Sequence, residues 1–244
     1  MSTYVYGIAP AGHPGPPEAL GGVGDPPRPV RTVEGGGLRA VVSECPEGLR
    51  AKRRDLNAHQ QVLAEVGALG TVLPLRFGSV ADDDEAVRGV LERHAEHYAR
   101  QLDEVAGRVE FNVKAVHDEE SVLRQVLTED PELRALAQAG RSSGGATYQD
   151  KLQLGERVAE AVRAREVADG RAVTEALAAH ADRHSPGPES AGWLANVSFL
   201  VGREGAAAFA EAADAFGQAH PQLKVQVTGP LPPYSFVEPA PSGV

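Results

Sequence analysis

Apolar and polar positions along the chain fall into two periods, a two-residue alternation and a three-to-four-residue recurrence, separated by stretches rich in proline and glycine. The runs TYVYGIA (Thr3–Ala9) and LRAVVSE (Leu38–Glu44) are β-branched and aromatic enough to predict strands. Between them, Pro10 to Gly37 is so dense in proline and glycine that a long loop with little regular structure is expected. From Arg54 to Leu69 the apolar positions Leu56, Leu63 and Val66, with His59 or Gln60, recur at helical spacing. TVLPLRFGSV (Thr71–Val80) predicts a third strand, and Pro74 inside it points to an edge or a bulge because proline cannot donate to a ladder. Asp82 to Gly107 predicts one helix, with Asp82 as N-cap, the stripe Val87, Leu91, Tyr98, Leu102 and Val105, and Gly107 as its stop.

The second half opens on RVEFNVKAV (Arg108–Val116), where Val109, Phe111, Val113 and Ala115 alternate with Arg108, Glu110, Asn112 and Lys114. That period predicts a strand with one wet face. Helical spacing follows over Glu119–Ala139, with Pro131 able to split it. Beyond the flexible GRSSGGATYQD, a long helix runs from Tyr148 to about His180, with Gly170 a possible kink. HSPGPESAG reads as a loop, WLANVSFLV as a buried strand, Ala206–Ala219 as a helix, and Leu223–Gly229 as a last strand before a proline-rich tail.

These elements group into an α+β fold of two small units. Residues 1–107 form an N-terminal unit expected to be ferredoxin-like. Residues 108–244 form a C-terminal α+β unit with long helices covering its sheet and a packed-back tail. No internal repeat of fixed period is visible.

Composition narrows the function. The formal net charge of −10 argues against a nucleic-acid partner. The one compact basic cluster, Arg50, Lys52, Arg53 and Arg54, runs into Asp55 and reads as a solvated helix face. Cys45 is the single cysteine, the first residues lack a signal-peptide pattern, and no apolar run reaches membrane-spanning length. A soluble, cytoplasmic protein without a membrane span is expected.

The search for chemistry turns up no constellation. His94/His97 and His180/His184 have helical spacing but no third ligand, so no metal site is expected. EGGGLRA precedes a strand, and LVGREGAAA lacks both the dinucleotide and the Walker spacing. Cys45 sits between Glu44 and Glu47, which disfavour the thiolate, and Ser142 and Ser143 lack a nucleophile elbow. Asp82, Asp83 and Asp84 suit a helix N-terminus for its dipole alone. No catalytic residue and no cofactor are predicted.

Two stretches resist a generic account: VLPLRFGSV, with Pro74, Arg76, Phe77 and Gly78, and GPLPPYSFV, with Gly229, Pro230, Pro232, Pro233, Tyr234 and Phe236. Together with the opening YVYGI (Tyr6, Gly7), VEFNVKAV and LANVSFLV, in that order, they resemble the gas vesicle protein F/L family over nearly the whole chain. The proline-glycine insert after Gly7 and the alanine-rich helices depart from the family pattern, and F and L types are not separated. The resemblance implies a non-enzymatic accessory or minor structural protein of gas vesicles. Its implied partners are the major shell protein and other accessory proteins, and its implied place is the vesicle or the cytoplasm. A different class, a small-molecule-binding regulatory module on ferredoxin-like units, stays open. The stiff tail itself can serve two ends: a clasp returning Tyr234 and Phe236 to the protein's own surface, or a peptide for a partner.

Overall fold

The computed structural model describes residues 1–142, 147–188 and 192–238. They form two compact units: Met1–Glu110 with the described residues from Gly229 on, and Phe111–Thr228. The division expected from sequence kept 108–244 together. The structure instead groups the tail with the first unit, because Pro233 and Phe236 are buried and Ser235 bonds to Glu110 there.

The first unit contains β1 (Thr3–Pro10), β2 (Arg31–Gly35), β3 (Leu38–Glu44), α1 (Arg53–Leu69), β4 (Leu73–Pro74), β5 (Val80–Ala81), α2 (Asp84–Arg93) and α3 (Ala95–Val105). Its sheet runs β2-β3-β1-β4, with β5 also on β1, and all these pairings are antiparallel. Every β1 residue except Pro10 is buried, which is why that strand reads as a continuous apolar run. Gly7 lies opposite Pro74, and a Cβ there would meet Leu73 O at 2.7 Å, so only glycine lets β4 approach so closely.

Three expectations change. The strand over Thr71–Val80 is two short pieces, because Gly78 (φ +91°) turns the chain between them. The helix over Asp82–Gly107 is two helices, capped by Asp83 and broken at His94. The β2–β3 turn lies close against this break: a Cβ on Gly36 would come within 3.0 to 3.1 Å of Leu91 O, Glu92 and Ala95. Inside the expected loop, Arg31–Gly35 is a strand, made by pairing with β3.

The second unit is built on β6 (Arg108–His117), α4 (Glu119–Glu129), α5 (Pro131–Ser142), α6 (Tyr148–Ala178), β7 (Arg183–Pro186), β8 (Ala195–Gly202), α7 (Ala206–Ala219) and β9 (Leu223–Leu231). Its sheet runs β7-β8-β6-β9. Counted along the chain, both sheets therefore read second, third, first, fourth strand. The second unit carries the full βαββαβ succession, while in the first the loop of residues 11–30 stands where its first helix would be.

Phe111 and Phe199 pack on Phe209 of α7 at 4.9 and 5.3 Å between ring centroids. Val122, Val126 and Leu133 gather Leu154, Val158, Ala161 and Val162 of α6. Asp130 accepts from the Glu132 and Leu133 amides and starts α5 at Pro131. Gly170 does not interrupt α6; a Cβ there would lie 2.5 Å from Leu194 O, so it marks close packing. Part of HSPGPESAG is the strand β7, paired with β8. Glu110, expected on the wet face of β6, is buried.

Candidate functional site

The opening strand and both resistant motifs meet in the first unit. β1 supplies Tyr4 and Tyr6, α1 supplies His59, and the turn after β4 supplies Phe77. The Tyr4–Tyr6, Tyr6–His59, His59–Phe77 and Tyr4–Phe77 centroids lie 4.8, 5.5, 5.8 and 5.9 Å apart. Tyr234 from the tail packs against the same group. The polar atoms close a chain. His59 Nε2 lies 3.1 Å from Leu75 O, which can only accept, so Nε2 carries the proton and Nδ1 accepts from the Tyr4 hydroxyl at 2.9 Å. The Tyr4 oxygen in turn accepts the Gly78 N–H at 3.2 Å. Burial holds the Tyr4 phenol well above its ordinary range and the His59 imidazole below its own, so both stay neutral near pH 7. Ring packing and this closed set of hydrogen bonds hold the cluster together.

The tail makes a 3-10 turn at Tyr234–Phe236. Ser235 donates its N–H to Glu110 Oε2 at 2.8 Å and its hydroxyl to Oε1 at 2.7 Å, and Gln101 Nε2 donates to Glu238 O at 3.2 Å. Burial, and secondarily the Glu110 charge, push the Tyr234 phenol up to about 12. Gly229 and Pro230 are exposed and Pro232 is half-buried. Arg76 is exposed at the turn, its carbonyl accepting from Ser79 N and Oγ. Tyr6, Phe77 and Tyr234 are thus brought together, Gly7 and Pro74 face each other across two strands, and Arg76 stands apart.

One polar cluster in the second unit was missed by the sequence reading. Asp169 on α6 is buried; its Oδ2 accepts from His117 Nε2 and its Oδ1 from Arg165 Nε, each at 3.0 Å. Arg165 also forks onto Glu129 at 2.9 and 3.0 Å. The signal was present: Asp169 falls in the apolar stripe Val162, Val173, Leu177, where a carboxylate must be paired. Among the described residues, no group of three or more histidine, cysteine, aspartate or glutamate side chains could hold a metal ion. No helix among them is long and apolar enough to cross a membrane. Cys45 is held towards the thiol by burial.

The sheet edges differ in how they are closed. β2 packs against α2, and Arg88 Nε donates to Glu34 O at 3.2 Å. β4 and β5 have two residues each, and β7 ends at Pro186. β9, with nine residues, ends its sheet, exposing Lys224, Gln226 and Thr228 while Val225 and Val227 are half-buried.

Comparison with known proteins follows the same layout. Residues 2–238 match the family described as "Gas vesicle synthesis protein GvpL/GvpF". Gas vesicle protein F of Streptomyces sp. (strain CB03234) is 58% identical over 238 residues, covering 98% of this chain and 100% of that protein. Gas vesicle protein L of the same strain is 30% identical over 256 residues, covering 96% and 91%. The crystal structure of the gas vesicle protein GvpF from Anabaena sp. PCC7120 superposes with a TM-score of 0.76 at 22% identity, covering 98% and 99%. That likeness shows the shared fold.

Proposed function

Because the chain belongs to the gas vesicle GvpL/GvpF family, we propose that it is a non-catalytic assembly protein of gas vesicles that binds the apolar major shell protein and other vesicle accessory proteins. The observation that carries this reading is the family match from residue 2 to 238, which spans both units and every motif residue named above. The physical route is strand addition. A β-rich, apolar client meets the β9 edge, whose backbone groups on the open side supply hydrogen bonds without demanding a particular side-chain sequence. The Pro74 edge is a poorer template, since β4 is two residues long and Pro74 is buried. The net charge of −10 keeps a protein that holds a sticky partner from clumping. The tail acts as a clasp on its own unit, with Phe236 buried and Ser235 tied to Glu110.

Co-expression tests the reading. The major shell protein is expected to stay soluble and to co-purify with this chain. Because successive N–H groups of a strand alternate between its two sides, one of the neighbours Gln226 and Val227 points its N–H outward, and proline at that position removes only an outward donor. One of those two variants is expected to lose the shell protein while keeping its melting temperature. Absence of binding to any vesicle protein at micromolar concentration would overturn the proposal.

A further inference from the structure

A groove of about 520 Å³ lies in the second unit between α4, α6 and the chain entering β8. We infer that it is a binding site for a peptide segment that presents an apolar side chain beside a lysine or arginine. Val122 and Leu123 of α4, Val162 of α6 and Trp193 line it, and Leu123 and Trp193 remain 41% and 37% exposed. These are large apolar groups left in water beside a concavity, which is where a partner side chain gains most. Lys114 Nζ stands 5.1 Å from the centre of the Trp193 ring and steadies it.

Charge selects the occupant. The lining includes the carboxylates Glu119 and Glu166 and neither lysine nor arginine. His117 lines the groove too, with its side chain only 8% exposed. Its Nε2–H donates to Asp169; in the neutral ring Nδ1 then carries a lone pair, and that buried atom has no partner among the described residues. A lone-pair acceptor and two carboxylates all call for donors, and an amide N–H next to a cationic side chain meets both demands. An acidic segment would face repulsion from Glu119 and Glu166. No residue of β9 lines the groove, and its occupant does not depend on which protein adds a strand at that edge.

Trp193 is the single tryptophan of the chain, so its emission reports on the groove. The probe is a hexapeptide of alternating leucine and lysine, with a leucine–glutamate hexapeptide and spermidine as comparisons. The leucine–lysine peptide is expected to shift Trp193 emission saturably and to release heat in calorimetry, while the glutamate peptide does neither. Glu119→Gln with Glu166→Gln is expected to weaken binding about fivefold, within the range of two rim charges. Leu123→Ser, at an exposed position that the fold does not need, is expected to weaken it comparably. No saturable signal, equal binding of the glutamate peptide, or full affinity in both variants overturns the proposal. Spermidine binding as tightly as the peptide also overturns it, in favour of a small cation. None of these results bears on shell-protein capture by the proline variants of β9.

Discussion

The first crossovers of the two sheets are made of opposite materials. Between β1 and β2 the chain uses a proline- and glycine-rich loop; between β6 and β7 it uses α4, α5 and α6. Helices satisfy their own backbone, and here their ends are met locally by Asp118, Asp130 and the capping box of Thr147 with Asp150. A loop has no such internal ladder, so its polar groups must find side chains. Val23 N–H donates to the Tyr6 hydroxyl at 2.9 Å, and Gly24 N–H to the buried Asp55 at 3.0 Å. His13 bridges Gly15 N–H and Val66 O, at 3.0 and 3.1 Å. Val23 enters the core, with Leu20 and Val30 packed against it. The lesson is that a loop can replace a covering helix when a few buried side chains take over the backbone hydrogen bonding. The stability of that layer then rests on few residues.

Three perturbations break or sharpen this contrast. The largest effect is expected at Gly22, where a Cβ would sit 2.1 Å from the Tyr6 hydroxyl and 3.1 Å from Arg28 O. Gly22→Ala should cost about 3 kcal/mol in urea unfolding, since neither the anchor nor the loop backbone can yield freely. The same change in the helical crossover has the opposite sign. At Gly155 in α6 an added methyl group would meet nothing within 4 Å, so Gly155→Ala should stabilise by about 0.8 kcal/mol through helix propensity. Equal signs at the two positions would abolish the distinction.

The smallest effect is a drift with pH. Burial lowers the imidazoles of His13 and His59 from their ordinary value of 6.5. Unfolded chains take up protons near that value and the folded protein does not, so the unfolded state binds more protons as the pH falls. Their contribution is fully present above about pH 6.5 and is lost as the pH drops through the lowered folded values. Denaturant midpoints should therefore decline below that pH, before carboxylates such as Asp84, held low chiefly by its hydrogen bond from Arg31, begin to titrate. His13→Asn should flatten the drift, and an unchanged slope would remove the loop anchor from the account.

Much of this was readable in the chain. The central strands β1, β3, β6 and β8 announce themselves because both faces are covered or the alternation is clean, as with Val109, Phe111, Val113 and Ala115. The two motifs were separable from generic folding because proline, glycine and aromatics crowd there. What was not readable is that Phe77 and Tyr234, distant in sequence, pack on one cluster, or that Glu110 turns inward to hold Ser235. Those contacts join partners whose spacing in the chain carries no periodic signature.

Local chemistry thus sufficed for the buried central strands and for the starts of α4, α6 and α7, since each depends on neighbours within a turn or a pleat. The outer strands β2 and β7 are the clearest converse. RTVEG and RHSP have no strand signature of their own and become strands because β3 and β8 offer them open edges. The attachment of the tail to the first unit belongs with them. In each case the deciding atoms come from a remote part of the chain, so short-range preference is overridden by long-range contact.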